Sequence, residues 1–249
     1  MRLGITLPFN PIHLADAARR IEAAGFDSAW LPDAHNRGWL LPDGFTALGI
    51  AAEVAPRLEV GTAVTQVPLR PPLELAQRVA TLVVMSGGRF CFGVGAGSTE
   101  ADHVGMGLAF ADRFRGFEHH LAVVDRLLRR DERDGLAFGG WPELNLRPPI
   151  VVGGRPGGRW FRAAAASEDV FNGWMGSMRS ATVEDLCAGL VTWRAAAGER
   201  RALVSTIPNT LPNLAEVLAQ YADAGFDDAL VFTDRHDDAE LERIRSLVS

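Results

Sequence analysis

The chain has no lysine: all 25 of its basic side chains are arginine. Mechanisms that need a lysine are therefore excluded, among them Schiff bases, the pyridoxal-phosphate aldimine and the phosphate-loop ATPases. There are two cysteines, Cys91 and Cys187, too few for a disulfide framework. No signal-peptide pattern opens the sequence, so a cytoplasmic protein is expected. No apolar run approaches the roughly 18 residues of a membrane-spanning helix. With 31 acidic side chains, a net charge of -6 and no Arg-rich block, neither nucleic acid nor an anionic membrane is an expected partner. There is no H-E-x-x-H, no close cysteine pair and no Asp/Glu/His cluster at ligand spacing, so no metal is expected. Without a G-x-S-x-G elbow, a serine triad is unsupported as well.

What the sequence does have is alternation. Short apolar runs alternate with helical patterns eight times in 249 residues. The runs are Leu3 to Leu7, Ser28 to Leu31, Glu59 to Gln66, Arg89 to Ala96, Ile150 to Val152, Asp169 to Asn172, Ala202 to Ile207 and Ala229 to Thr233. Between them, apolar residues such as Leu14, Ala18 and Ile21 recur at helical spacing. Strands that alternate with helices imply a parallel sheet. Eight such units match the length of a (β/α)8 barrel, expected here as one domain over residues 1–249; a doubly wound open sheet is the competing architecture. Ala24-Gly25-Phe26-Asp27 is echoed by Ala224-Gly225-Phe226-Asp227, which marks both as helix-to-strand joints. Gly135 to Pro149 reads as a long loop over one face.

Barrel active sites lie at the C-terminal ends of the strands. Asp33 and His35 follow the second strand and combine an acceptor with an imidazole that titrates near neutrality, which suits proton transfer. A loop-capping Asp beside an exposed His is the plainer alternative. His103, His119 and His120 read as packing or surface residues. Gly93-Val94-Gly95-Ala96-Gly97 fails the pattern G-x-G-x-x-G, because Ser98 stands where the third glycine belongs. Gly95 and Gly97 would still let a flat ligand lie against the backbone, although packing inside the barrel explains them equally well. Gly153-Gly154-Arg155-Pro156-Gly157-Gly158-Arg159 joins a strand to a helix, with four glycines and two arginines. Free amides at a helix N-terminus make an anion site best suited to phosphate. A phosphate loop with no lysine, metal or nucleophile motif suggests a borrowed cofactor.

Leu82 to Gly97, LVVMSGGRFCFGVGAG, is similar to the segment that marks the luciferase-like flavin and deazaflavin oxidoreductases. Gly4 to Pro8, Gly25 to Trp30 with Asp33, Gly61 to Val64 followed by Pro71-Pro72, Pro148 to Gly154 and Asp169 to Trp174 fit the same family in order. The resemblance implies a (β/α)8 barrel, usually dimeric, that binds FMN or the deazaflavin coenzyme F420. It places a third-strand bulge, often with a cis non-proline peptide, at Ala63-Val64 behind the ring, and the cofactor phosphate on the loop after strand five. It also puts Asp33 near the ring's polar edge, and Trp174 counts among the expected cofactor neighbours. Two positions depart from the sugar-phosphate-oxidising relatives: Ala34 stands where a His follows the Asp, and Ser98 where a Glu follows the glycine run.

The resulting expectation is an oxidoreductase that uses coenzyme F420 to move hydride to or from a small organic substrate. His35 would handle the proton, and Gly154 to Arg159 the phosphate. All-arginine usage fits a GC-rich genome of the kind where that coenzyme is common. An FMN-dependent monooxygenase, a non-catalytic flavin-binding barrel and a sugar-phosphate enzyme without redox cofactor are the alternatives. A homodimer is expected, and substrate contacts are expected from Asn36 to Leu41 and Trp141 to Arg147, with Trp39 and Trp141 either packing a planar substrate or covering the dimer seam.

Overall fold

The computed structural model describes residues 1–35, 38, 40–131 and 144–248. Along the chain come β1 (Arg2–Thr6), α1 (Leu14–Ala23), β2 (Ser28–Leu31), α2 (Gly44–Val54), β3 (Glu59–Thr62), β4 (Thr65–Gln66), α3 (Pro72–Met85) and β5 (Phe90–Gly95). There follow α4 (Glu100–Gly105), α5 (Arg113–Leu128), β6 (Ile150–Gly153), α6 (Arg159–Ala166), β7 (Gly173–Ser177), α7 (Val183–Ala197), β8 (Arg201–Pro208), α8 (Leu214–Ala224), β9 (Asp228–Phe232) and α9 (Asp238–Arg245). Neighbouring strands are parallel, in the order β3-β2-β1-β9-β8-β7-β6-β5, and the pairing of Val60 and Gly61 with Phe90 and Cys91 closes the ring. This is the expected (β/α)8 barrel.

Two expected strands differ in detail. The third is not continuous from Glu59 to Gln66: it breaks into β3 and β4 on either side of a cis peptide between Ala63 and Val64. The sixth strand is Gly173–Ser177, whereas Asp169 to Asn172 form the turn that leads into it. Ser167 caps that turn by accepting from the amides of Val170 and Phe171, and Asn172 Oδ1 accepts from the Ile150 amide.

Side chains on alternate sides of the strands build two apolar layers. Outward residues such as Ile5, Ala29, Val60, Phe92 and Val152 pack against the helices. Inward, Trp30, Cys91, Val151, Met175, Leu203 and Leu230 fill the barrel, with Ala63 and Val64 packed on them. The Trp30 indole takes so much of this space that a Cβ at Gly61 would lie 2.2 Å from it. Burial pushes the Cys91 thiol up, so it stays protonated and serves as packing.

The N-terminal end of the barrel is closed by charge. Arg201 grips both oxygens of the fully buried Asp228, each at 2.7 Å, and pairs with Glu59 at 2.8 Å. Arg2 joins Glu59 at 3.1 Å. The echoed Ala-Gly-Phe-Asp joints serve this same end. Gly25 and Gly225 end their helices at φ +84° and +95°, and Asp27 and Asp227 then accept the amides of Leu3 and Ala202 on the neighbouring strands.

Candidate functional site

At the C-terminal end of the strands, Val64 occupies the middle of the barrel mouth. Its methyl groups lie where side chains at Gly95 and Gly153 would begin: a Cβ would be 2.7 Å and 3.0 Å away, respectively. The glycines of the Gly93–Gly97 run therefore make room for β3 and Val64. A Cβ at Gly93 would fall 1.8 Å from the Thr62 carbonyl. This corrects the expectation that a flat ligand lies directly on Gly95. The apolar surface presented at that point is Val64. Gly97, at φ +80°, covers Gln66 and His103 instead.

Beside this platform sits a buried polar network. Asp33 accepts from Arg70 through both oxygens, at 2.5 and 2.9 Å, and from the Gln66 amide at 2.9 Å. His35 Nε2 lies 3.0 Å from Asp33 Oδ1, off the line of a well-formed hydrogen bond and with no other partner among the described residues. Burial alone would raise the Asp33 pKa. The close His35 nitrogen, the Arg70 hydrogen bonds and the charges of both outweigh it and hold the carboxyl well below the usual carboxylate range. With its oxygens so committed, Asp33 orients its neighbours. Gln66 Nε2 donates to the Asp33 carbonyl and to Asp102, and the buried Gln66 Oε1 has no partner among the described residues. His103 bonds Thr99 through Nδ1, and its buried Nε2 and the Thr65 hydroxyl likewise have none among them.

The loop from β6 to α6 departs from the sequence reading in its details. The amides of Gly154 and Gly158 are already donated, to the carbonyls of Met175 and Arg155. Those of Arg155, Gly157, Arg159, Trp160 and Phe161 have no protein acceptor among the described residues, and α6 has no side-chain cap. Uncapped first-turn amides, with the helix dipole behind them, favour an anion. Arg155 is exposed beside them. Arg159 turns away to pair with Glu118 and to stack over Trp160 at 5.0 Å. Pro156 has no amide to offer, and its ring packs where a side chain at Gly189 of α7 would stand.

Trp174 is corrected as well. It points outward from β7, fully buried against Phe161 and Trp193, and so cannot touch a ligand in the barrel mouth. Its indole donates to the Gly154 carbonyl at 2.8 Å and thereby holds the loop in place. Sequence reasoning missed Arg70, although it adjoins the Pro71-Pro72 pair. It also missed His236, after β9, whose Nε2 donates to the Thr6 carbonyl at 2.6 Å and whose pKa burial lowers despite that bond. Asn36, Arg37, Trp39 and Trp141 lie outside the described residues. No His/Cys/Asp/Glu group able to hold a metal occurs among the described residues, and no helix there is long and apolar enough to cross a membrane.

Val64, Gly153 and the open amides are contiguous, so an apolar face runs into an anion site. A planar ring that carries a phosphate tail fits that arrangement. The family model described as luciferase-like monooxygenase matches residues 4–205. The chain is 36% identical over 120 residues to 4-hydroxyprotoasukamycin monooxygenase of Streptomyces nodosus subsp. asukaensis, covering 47% of this chain and 32% of that protein. It is 30% identical over 132 residues to the F420-dependent glucose-6-phosphate dehydrogenase of Amycolatopsis mediterranei, covering 49% and 39%. The chain thus spans between about a third and two fifths of the length of these two relatives. The oxygenating constituent of 3,6-diketocamphane monooxygenase from Pseudomonas putida, solved with FMN, superposes with a TM-score of 0.77 at 15% identity, covering 100% of this chain and 97% of that one.

Proposed function

The chain belongs to the luciferase-like monooxygenase family, and we propose that it is an oxidoreductase that takes coenzyme F420 and moves hydride to or from a small organic substrate. The observation that carries this reading is the continuity of the Val64 platform with the amides of Arg155, Gly157, Arg159, Trp160 and Phe161, which have no protein acceptor among the described residues. Val64 supports the ring, and the amides with Arg155 hold the phosphate. When bound, the deazaflavin supplies two-electron hydride chemistry at its central ring. His35 keeps its own hydrogen on Nε2, which faces the Asp33 carboxylate, and takes up the transferred proton at Nδ1. Ala34 and Ser98 depart from the sugar-phosphate-oxidising pattern, so the substrate is not taken to be that of the Amycolatopsis relative.

A second reading is an FMN-dependent monooxygenase, favoured by the match to 4-hydroxyprotoasukamycin monooxygenase and by the fold shared with an FMN-bound monooxygenase. Equilibrium binding separates the two: F420 should bind at micromolar concentration or tighter, with FMN weaker. The reverse order would establish the second reading, and binding of neither would refute both. Homodimerisation accompanies this proposal. Ile50 of α2 and Leu73, Val84 and Met85 of α3 are exposed, and Ile50 and Met85 line a groove of about 730 Å³ between the two helices. Light scattering should give twice the 26.9 kDa chain mass, and Ile50→Glu with Met85→Glu should give the monomer. A cytoplasmic setting suits the two free cysteines.

A further inference from the structure

Arg70 reaches the site from the segment after β4, 37 residues from the carboxylate it binds. Its side chain is 11% exposed and that of Asp33 5%, so the pair is shielded from water. The guanidinium also lies 5.7 Å from the centre of the Phe45 ring, which fixes it from the other side. A buried carboxylate held through two parallel bonds stays ionised and cannot rotate. An ionised carboxylate only accepts, so the nitrogen 3.0 Å from it must carry the hydrogen: an unprotonated Nε2 there would set two lone pairs against each other.

We propose that Arg70 is a positioning residue: its two-point grip on Asp33 sets His35 in the Nε2–H tautomer and leaves Nδ1 as the basic nitrogen. The part of this that concerns proton transfer rests on the oxidoreductase reading; the tautomer itself does not. A lysine at position 70 would keep the charge and lose the planar fork, so the carboxylate would be free to turn. The His35 contact, off-line in the free protein, is of the kind that tightens when a site fills. That tightening needs an acceptor which does not swing away.

The test is nitrogen NMR of the unliganded protein labelled with 15N-histidine, with the His35 signals identified by their loss in His35→Gln. In the wild type His35 should give a single tautomer protonated at Nε2. In Arg70→Lys that signal should be lost to an average of the two tautomers while the circular dichroism spectrum remains that of the wild type. Asp33→Asn, with Arg70 intact, should also lose the pure Nε2–H form. If Arg70 only braced the loop, Arg70→Lys would lower the melting temperature and leave the tautomer untouched, which would overturn the proposal. A wild-type His35 protonated at Nδ1, or averaged, would overturn it without any variant. Failure to bind either cofactor would sink the functional reading and leave these spectra unaffected, so the two failures are distinguishable.

Discussion

At the N-terminal end of the strands, Arg2, Glu59, Arg201 and Asp228 face one another in a closed set of ion pairs. At the C-terminal end, among the described residues, Thr65 Oγ1, Gln66 Oε1 and His103 Nε2 are buried without partners and the amides opening α6 have no protein acceptor. Buried polar groups are normally satisfied, so the contrast separates an end built for stability from one that keeps capacity for something else. Substitutions at the closed end should therefore change folding and spare ligand binding. Those at the exposed Arg155 beside the open amides should do the reverse.

The largest effect should come from Arg201→Met. It leaves the buried Asp228 with only Arg2, 3.6 Å away, as a charged partner, which costs up to about 3–5 kcal/mol in chemical denaturation. F420 affinity of the folded fraction should not change; a variant that is stable but fails to bind would break the comparison. Gly61→Ala comes next. Its methyl group would sit within 2.2 Å of Trp30, and overpacking of that kind costs about 1–3 kcal/mol. Arg155→Ala tests the other end: denaturation should shift by less than about 0.5 kcal/mol. Cofactor affinity should fall about tenfold, the loss expected for one charge-assisted contact.

How far the sequence foretold these two ends depends on whether the signal was local. Helix spacing and alternation are local, and they placed α1 at Leu14, Ala18 and Ile21 and closed the barrel count. The Ala-Gly-Phe-Asp joints are local too, although the carboxylate bonds to Leu3 and Ala202 needed the neighbouring strands in place. The sixth strand went astray because Val170-Phe171 is apolar, whereas Gly173-Trp174-Met175-Gly176 carries two glycines. Burial in the sheet overrode that weak propensity. Residues from Thr62 to Thr65 read as continuous strand by period alone, and only the family resemblance pointed to a break at Ala63-Val64. Asp33 and Arg70 are joined across 37 residues, and Trp174 faces outward through strand register; neither is written in any short window.

The open end also has a pH signature. The folded-state pKa of Asp33 lies below its unfolded value, so its stabilising contribution is complete above the unfolded carboxylate range near ~4. It should be lost as pH falls below that range. In acid titrations of stability Asp33→Asn should flatten this part of the curve, and an unchanged slope would show that the Arg70 pair is not stabilising. Trp174→Phe removes the indole bond to the Gly154 carbonyl and trims a fully buried ring. Cofactor binding should weaken a few-fold, and the melting temperature should fall with the lost packing.

Equilibrium titration of the wild-type protein with F420 and with FMN, followed through cofactor and tryptophan fluorescence, tests the central claim most directly. Micromolar or tighter binding of one of the two is the result that a Val64 platform leading into the open amides of the β6–α6 loop predicts, with F420 the tighter under the proposed reading. No binding of either would contradict it, and the open amides would then need a phosphate on the substrate to account for them.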